Sequence, residues 1–546
     1  MSGISYKMSN DPPRSLLLSS NFECKALMEL ARTTLMPSFR VPRHRLISNC
    51  TGKFTIDMHY LLRPDCIGKR QTDFVPSVFV GGIVYVAWYK ENVLRKIEKA
   101  FAAGYDPALE LASHGKKRHE NVPTILEELE WDLDGPWTQH LRRKEQDLID
   151  QIVHGEEFGH YFMLLGPKGS GKTTMIFDAM QAIQAEGVSM CDAHPDLEVF
   201  RLRLGKALNY EYNEDSQTGL FQRRGPALDI ERALNKLEKV ALRHSKRTGK
   251  PLILILNNIH FFDHNDDGRN ILLQFQQRAE AWAASGILTM VFSTDDAWPF
   301  FVMRKNASRM HVVAVSDLSY KEALRTSMRM RMNAKHQKDD PEVFKKVITI
   351  IGGRLTYLSR VSKAKHMLEH AEHMLAVEKA WLLSQIGLIP DCDDDVMDEQ
   401  KWSSCSWLLL RAFVQKREED ERKRAEAIAR GELLEDNLQE LPLPKISYYE
   451  CRQIMTRPDF LEELDRANII AIDTHHDVTP DSVLLLNAAQ QVVNAPGFDE
   501  LLDGVRDRVD EIESLHRTRE LTFKDVDAGD RIRIAVDKGG GRLVDF

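Results

Sequence analysis

At 546 residues the chain exceeds one ordinary domain, and roughly two to four are expected. Apolar content of 43% and charged content of 29% are normal for a globular protein with ample core. A net charge of −8 excludes a polyanion binder by bulk composition. Seven scattered cysteines, odd in number and never spaced C-x-x-C, argue against a disulfide framework or a cysteine zinc site and for a reducing compartment.

Residues 1–73 read as a basic targeting or disordered segment. The first 56 carry eight Lys/Arg against three Asp/Glu, with many Ser. A mitochondrial transit peptide has that bias, and so does a plain basic tail. Glu23 and Glu29 count against transit. Phe74 to Tyr89 then runs sixteen residues without a charge, ends in Trp88-Tyr89, and is followed by Lys90, Arg95, Lys96 and Lys99. Aromatics followed by cations commonly end a membrane span. The run is slightly shorter than the roughly 17–25 residues of a spanning helix, so a buried hairpin or core helix competes. We read 74–90 as the membrane candidate. With the basic start it makes the mitochondrial inner membrane the expected location, the cytoplasm or nucleus being the alternative. Asn92–Ala103 has the pattern of an amphipathic helix stopped by Gly104-Tyr105-Asp106-Pro107, inside a helical connector over 91–140.

From 141 to 315 helix and strand patterns alternate, as in a parallel α/β domain. Tyr161-Phe162-Met163-Leu164-Leu165 predicts a buried strand and Thr174–Gln184 a helix. Between them, Gly166-Pro167-Lys168-Gly169-Ser170-Gly171-Lys172-Thr173 matches the phosphate-binding pattern G-x-x-x-x-G-K-[ST]. Its glycines let the backbone turn several N–H groups toward one anion. Lys172 can reach the β and γ phosphates, and the Thr173 hydroxyl can ligate Mg²⁺. Gly166 through Thr174 are thus the expected binding residues for ATP, with Thr173 on the metal. A second strand, Leu252–Leu256, ends in Asn257-Asn258, where an ATPase needs acids to hold Mg²⁺ and polarise water. Asparagine can accept from a metal-bound water but cannot serve as a base, so slow hydrolysis is expected with Asn258 in the catalytic position. Asp263, Asp266 and Asp267 follow, either as substitutes or, preferably, as loop residues. A third strand, Ile287–Phe292, ends in Ser293-Thr294-Asp295-Asp296. A polar residue there, Thr294 being the candidate, can meet the γ-phosphate or the attacking water; the same residues can cap the next helix.

Helical periodicity over 316–386 predicts a lid. Residues 387–440 read as a linker with an acidic loop (Asp391–Asp398) and a charged helix (Lys416–Leu434). Leu441-Pro442-Leu443-Pro444 opens a C-terminal unit over 441–521, in which Ser447–Met455, Pro458–Asp465 and Asp481–Val493 read as helices. Ile469–Ile472 and the turn at His475-His476-Asp477 supply a strand and wing, an order that resembles a winged helix. Between Lys445 and Arg519 eight Lys/Arg face fifteen Asp/Glu. Duplex affinity comes largely from neutralised phosphates, so nucleic acid is an unlooked-for partner and protein docking is favoured. His475-His476 has no third ligand at metal spacing and reads as a polar turn. The tail, 522–546 with Gly539-Gly540-Gly541, reads as frayed.

The expected fold class is therefore α/β, a P-loop NTPase parallel sheet with a helical lid and a C-terminal winged-helix-like domain. Gly166–Thr173, the Leu252–Asn258 strand, Ser293-Thr294, Arg309 and Gly352-Gly353-Arg354 resemble AAA+ ATPases, particularly the branch with STAND and origin-recognition ATPases, over roughly residues 141–370. The resemblance implies that Arg309, in Ala307-Ser308-Arg309, is an arginine finger completing a neighbour's site in a homo-oligomer, Arg304 being a weaker candidate. It implies that Arg354 is the lid's sensor arginine. Ala100-Phe101 with Gly104-Tyr105-Asp106-Pro107, Gln276-Gln277-Arg278-Ala279-Glu280, and Glu513-Ser514-Leu515-His516-Arg517-Thr518-Arg519-Glu520-Leu521 make the whole chain similar to fungal AAA-type proteins with a C-terminal winged helix. The expected function is a nucleotide-dependent switch or weak ATPase using ATP and Mg²⁺. The alternatives are a non-hydrolysing ATP-binding scaffold and an origin-recognition-like nucleic-acid-binding ATPase.

Overall fold

A computed structural model describes residues 71–109, 142–212, 225–335, 339–430, 441–519, 533–537 and 540–544. The chain divides into two units, Met1–Lys90 and Glu91–Phe546. The basic start and most of the 91–140 connector lie outside the described residues.

The uncharged run falls in a helix, α1 (Gln71–Ala100). No helix among the described residues is long and apolar enough to cross a membrane. The membrane reading of 74–90 is corrected accordingly; the basic start, the other ground for the inner-membrane expectation, lies outside the described residues. Pro76, Ser77 and Gly81-Gly82 dilute the apolar side chains, and Asp73 and Lys90 close the run at both ends. Val84, Tyr85, Val86 and Trp88 are exposed, with Tyr85 stacked on Tyr89 at 6.2 Å.

The core of the second unit is a five-stranded parallel sheet. Its strands are β1 (Tyr161–Leu165), β2 (Val188–Asp192), β3 (Leu252–Asn257), β4 (Leu288–Thr294) and β5 (Met310–Ala314), in the order β2-β3-β4-β1-β5. Parallel sheets are covered on both faces, so their strands read as continuous apolar runs; β1, β3 and β4 are buried at every residue. On one face Phe162, Leu164, Ile253 and Ile255 pack against Ile149 and Ile152 of α2 (Lys144–Val153) and Ile176 and Met180 of α3 (Lys172–Ala182). On the other, Tyr161 meets Phe292 edge-on and accepts a hydrogen bond at 3.0 Å from Gln276. Gln276 lies on α6 (Asp266–Ser285), which follows α4 (Leu197–Ala207) and α5 (Pro226–Thr248). Because all strands run the same way, Leu165, Asp192, Asn257, Thr294 and Ala314 end along one edge, where open α/β sheets bind ligands.

After α7 (Trp298–Arg304) and β5 comes a lid of α8 (Tyr320–Lys335), α9 (Pro341–Ile351), α10 (Leu355–Lys363) and α11 (Met367–Gln385). Phe344, Val347, Ile351, Leu358 and Val361 form its core, together with Leu484 from the C-terminal domain. That domain is a winged helix: α12 (Met397–Ala429), β6 (Ile446–Ser447), α13 (Tyr448–Met455), α14 (Pro458–Arg466), β7 (Ile470–Ile472), β8 (Asp477–Pro480), α15 (Val483–Val493) and α16 (Phe498–Arg519), with an antiparallel sheet in the order β6-β8-β7. Ser447 and Glu450 close a reciprocal capping box at α13. Trp407, Phe413, Leu461, Leu485 and Leu502 fill a core that also takes in Ala297 from the sheet domain. The tail that reads as frayed contains a hairpin, β9 (Arg533–Asp537) against β10 (Gly540–Val544). Cross-strand backbone bonds there outweigh the local permissiveness of its glycines.

Arg354 ties three parts together. It precedes α10, is 2% exposed, and donates from Nε to Asp317 at 3.0 Å and from Nη1 to Asp481 at 2.5 Å. Its Nη2 also donates to the Asp481 carbonyl. Asp317 follows β5, and Asp481 opens the helix α15 of the winged domain. Gly352, at φ +72°, lets the same turn press against Val483, whose Cβ would lie 2.7 Å from an added Cβ. Removing one partner of a buried ion pair leaves an uncompensated charge. Arg354→Met should therefore cost about 3–5 kcal/mol, read as a lower denaturation midpoint, and the added changes Asp317→Asn and Asp481→Asn should restore part of it.

Candidate nucleotide site

The glycine-rich loop from Gly166 to Gly171 bridges the end of β1 and the start of α3. Gly169 holds φ +82°, and a Cβ there would lie 2.4 Å from the Thr356 hydroxyl, so the lid approaches the loop more closely than any side chain at 169 would permit. Gly171 caps α3 in a left-handed conformation with no side-chain cap, leaving the first N–H groups of the helix to an anion. A cavity of about 470 Å³ opens over this point, within the roughly 300–1,000 Å³ of small-molecule sites. Gly169, Gly171, Lys172, Thr173 and Thr174 line its floor. Arg143, Gln146, Met175, Asp178, Asn258 and Asp295 line its sides, and Met330, Leu355, Thr356, Ser359 and Arg360 close it from the lid.

Lys172 is buried, and its amine donates to the carbonyls of Gly166 at 2.5 Å and Pro167 at 3.0 Å. It also pairs with Asp295 at 2.7 Å. Burial pushes the ammonium below the ordinary lysine value, and Asp295 works against that. Arg143 donates to the Ser170 carbonyl at 2.6 Å and to the Ser316 carbonyl, stapling the loop to the segment after β5.

Thr173 Oγ1 donates to Asn257 Oδ1 at 3.3 Å, and Asn257 Nδ2 donates to Asp192 Oδ1 at 2.8 Å. An ionised carboxylate only accepts, so Asp192 turns the amide nitrogen toward itself and presents the amide oxygen to Thr173. The resulting pair of hard oxygen donors suits Mg²⁺, which takes few protein ligands and keeps several waters. Among the described residues no group of three or more His, Cys, Asp or Glu could hold a metal ion, so a cation here would rest on this hydroxyl–amide pair, water and phosphate.

The structure brings Gly169, Gly171, Lys172, Thr173, Thr174 and Asn258 to one cavity. The other expected catalytic residues do not line it. Thr294 is fully buried, and its hydroxyl donates to the Asp296 carbonyl at 2.8 Å. Arg309 is exposed at the opposite edge of the sheet, where its carbonyl accepts from Tyr161 N at the start of β1 and its Nη1 donates to Gly159 O at 3.3 Å. Arg304 lies over the Phe300 ring. Arg354 is consumed by Asp317 and Asp481. Asp266 and Asp267 sit in the first turn of α6 and Asp263 just before it, none of them on the cavity. His476 stacks on Phe301 at 5.5 Å, which makes the wing turn a packing contact with α7. Among the polar residues of the site that the sequence did not single out are Arg143, Asp192, Asp295 and Arg360. Asp192 and Asp295 carry a usable signal, an acid at or just past the end of a buried strand.

Residues 383–513 match the family model described as "Fungal AAA protein, C-terminal winged helix domain". No curated protein matches the chain. Similar solved structures include a Walker-type ATPase of Pyrococcus abyssi, at 12% identity over 64% of this chain and 96% of that one, with a TM-score of 0.42. Another is Cdc6p of Pyrobaculum aerophilum, at 13% identity over 68% and 95%, TM-score 0.30. A third is the Aeropyrum pernix ORC1 protein in complex with DNA, at 12% identity over 66% and 93%, TM-score 0.32. The fungal AAA resemblance is borne out over 383–513, as its C-terminal winged helix domain, and so is the expected α/β fold with a winged helix.

Two residues beyond Asp295, Ala297 N donates at 2.7 Å to the buried Asp465. Burial, with Asp296 adding to it, raises its carboxyl well above the ordinary range. Burial, then the Asp295 charge, pushes Asp296 up to about 7, with Arg466, Lys172 and Lys168 opposing. Asp296 is raised in the folded state, so its contribution is present below the ordinary value of 3.8 and lost as pH rises through about 7, and the raised Asp465 acts in the same direction. The thermal midpoint should fall as pH is raised across that window, and Asp296→Asn should flatten the fall.

Proposed function

We propose that this chain is an AAA+-type nucleotide-dependent switch that binds ATP with Mg²⁺ at Gly166–Thr174 and hydrolyses it slowly. The observation that carries the reading is the buried Lys172 amine beside the uncapped start of α3, on the floor of a cavity of nucleotide size. Loop amides and Lys172 would hold the phosphates. Thr173 and Asn257 would hold Mg²⁺, which when bound would neutralise phosphate charge. Met175, Met330 and Leu355 offer apolar contact for a base. Arg360 is better placed than Arg354 for a sensor role, since it lines the cavity from α10. Slow hydrolysis follows from Asn257-Asn258, which cannot take a proton from water. In this reading Arg309 serves a neighbouring copy in a homo-oligomer. The winged helix docks a protein, because its acid excess repels phosphate; the cytoplasm or nucleus fits the scattered thiols.

Lys172→Ala should weaken binding of a fluorescent ATP analogue at least about tenfold, some 1.4 kcal/mol; unchanged affinity would sink the reading. Sedimentation should reveal ATP-dependent assembly that Arg309→Ala abolishes, and a strict monomer in both states would remove the finger.

A further inference from the structure

The β3 end offers no carboxylate, yet an acid does reach the cavity. The sheet order sets β4 between β3 and β1, so the residue after Thr294 emerges between the Asn257-Asn258 turn and the phosphate loop. That residue is Asp295. Its carboxylate lines the cavity and lies 2.7 Å from Lys172 Nζ. The other acid on the cavity, Asp178, sits six residues further along α3, roughly 9 Å up the helix at 1.5 Å per residue. His260 backs Asp295 from behind. Its Nδ1 accepts from Asp295 N at 3.1 Å, which leaves the neutral ring's proton on Nε2, 3.8 Å from Asp295 Oδ2. Burial favours that neutral form.

Resting on the ATP-binding reading above, we propose that Asp295 is the general base of hydrolysis, standing in for the acid missing from β3, with His260 as its positioning residue. The γ-phosphate competes for Lys172 and releases Asp295 from the ion pair. Asp295 then takes a proton from a water as the water oxygen bonds to the γ-phosphorus. The bond from that phosphorus to the β–γ bridging oxygen breaks, and its electron pair leaves with ADP. Inorganic phosphate departs and the proton passes from Asp295 to solvent.

The test uses the full chain with Mg²⁺ and ATP, measuring the dissociation constant by titration and the single-turnover rate at saturating ATP. Asp295→Asn should slow turnover about 10²–10⁴-fold, the usual worth of a positioned base. Its ATP affinity should hold or tighten, because Lys172 loses a competitor. His260→Ala should slow turnover less and leave affinity unchanged. Turnover in Asp295→Asn within about threefold of the natural chain would overturn the proposal, since a positioned base is worth far more. So would loss of ATP binding in that variant, which would make Asp295 a structural ion-pair partner. A natural chain that binds ATP without ever hydrolysing it would overturn the base while leaving the binding reading intact. A natural chain that binds no ATP would remove the reading beneath it.

Discussion

One buried guanidinium decides how the lid lies over the phosphate loop. Taking Arg354 out of water costs several kcal/mol, and the two carboxylates of Asp317 and Asp481, with the Asp481 carbonyl, make that burial tolerable. The three residues belong to the segment after β5, to the start of α10 and to the entry of α15. Satisfying them together fixes the first turn of α10, which in turn sets Thr356 against Gly169 and turns Ser359 and Arg360 toward the cavity. The roof of the site therefore depends on a charge cluster that never touches the cavity itself.

A second polar chain runs from the floor of the site to the winged helix. Lys172 pairs with Asp295; two residues on, Ala297 donates to the buried Asp465 of α14 and its side chain joins the winged-helix core. Thr294 and Asp296 close the turn between them. Four consecutive residues thus face Lys172 at one point and a separate domain at another. The turn is short and buried, so a shift of Asp295 has little slack to absorb it.

The Asn257 site illustrates how a neutral residue can keep part of a metal-binding geometry. Asp192, on the adjacent strand, orients the amide and supplies negative charge one step further from Thr173. A cation on this pair would see a weaker field than beside a carboxylate.

The sequence alone determined what is local. The phosphate loop is contiguous, and its residue types follow from the turn and the anion, so it was legible with its strand and helix. The apolar runs of β1, β3 and β4 were legible because parallel strands buried on both faces cannot hide their composition. The winged helix was legible from its order of helices and turns. Composition misled at 74–90, where an uncharged run lacked the apolar density of a span. Tertiary structure alone decided the partners. Thr173 meets Asn257 across 84 residues, and Arg354 meets Asp481 across 127. The family resemblance implied a sensor role for Arg354, and the structure pairs its guanidinium with two carboxylates, one of them in another domain. Thr294 was the candidate rather than Asp295 because nothing in the neighbourhood reveals which strands flank β4. Strand order and domain docking choose which distant side chains share a dielectric, and that choice, not residue type, separates a ligand-facing charge from a structural one.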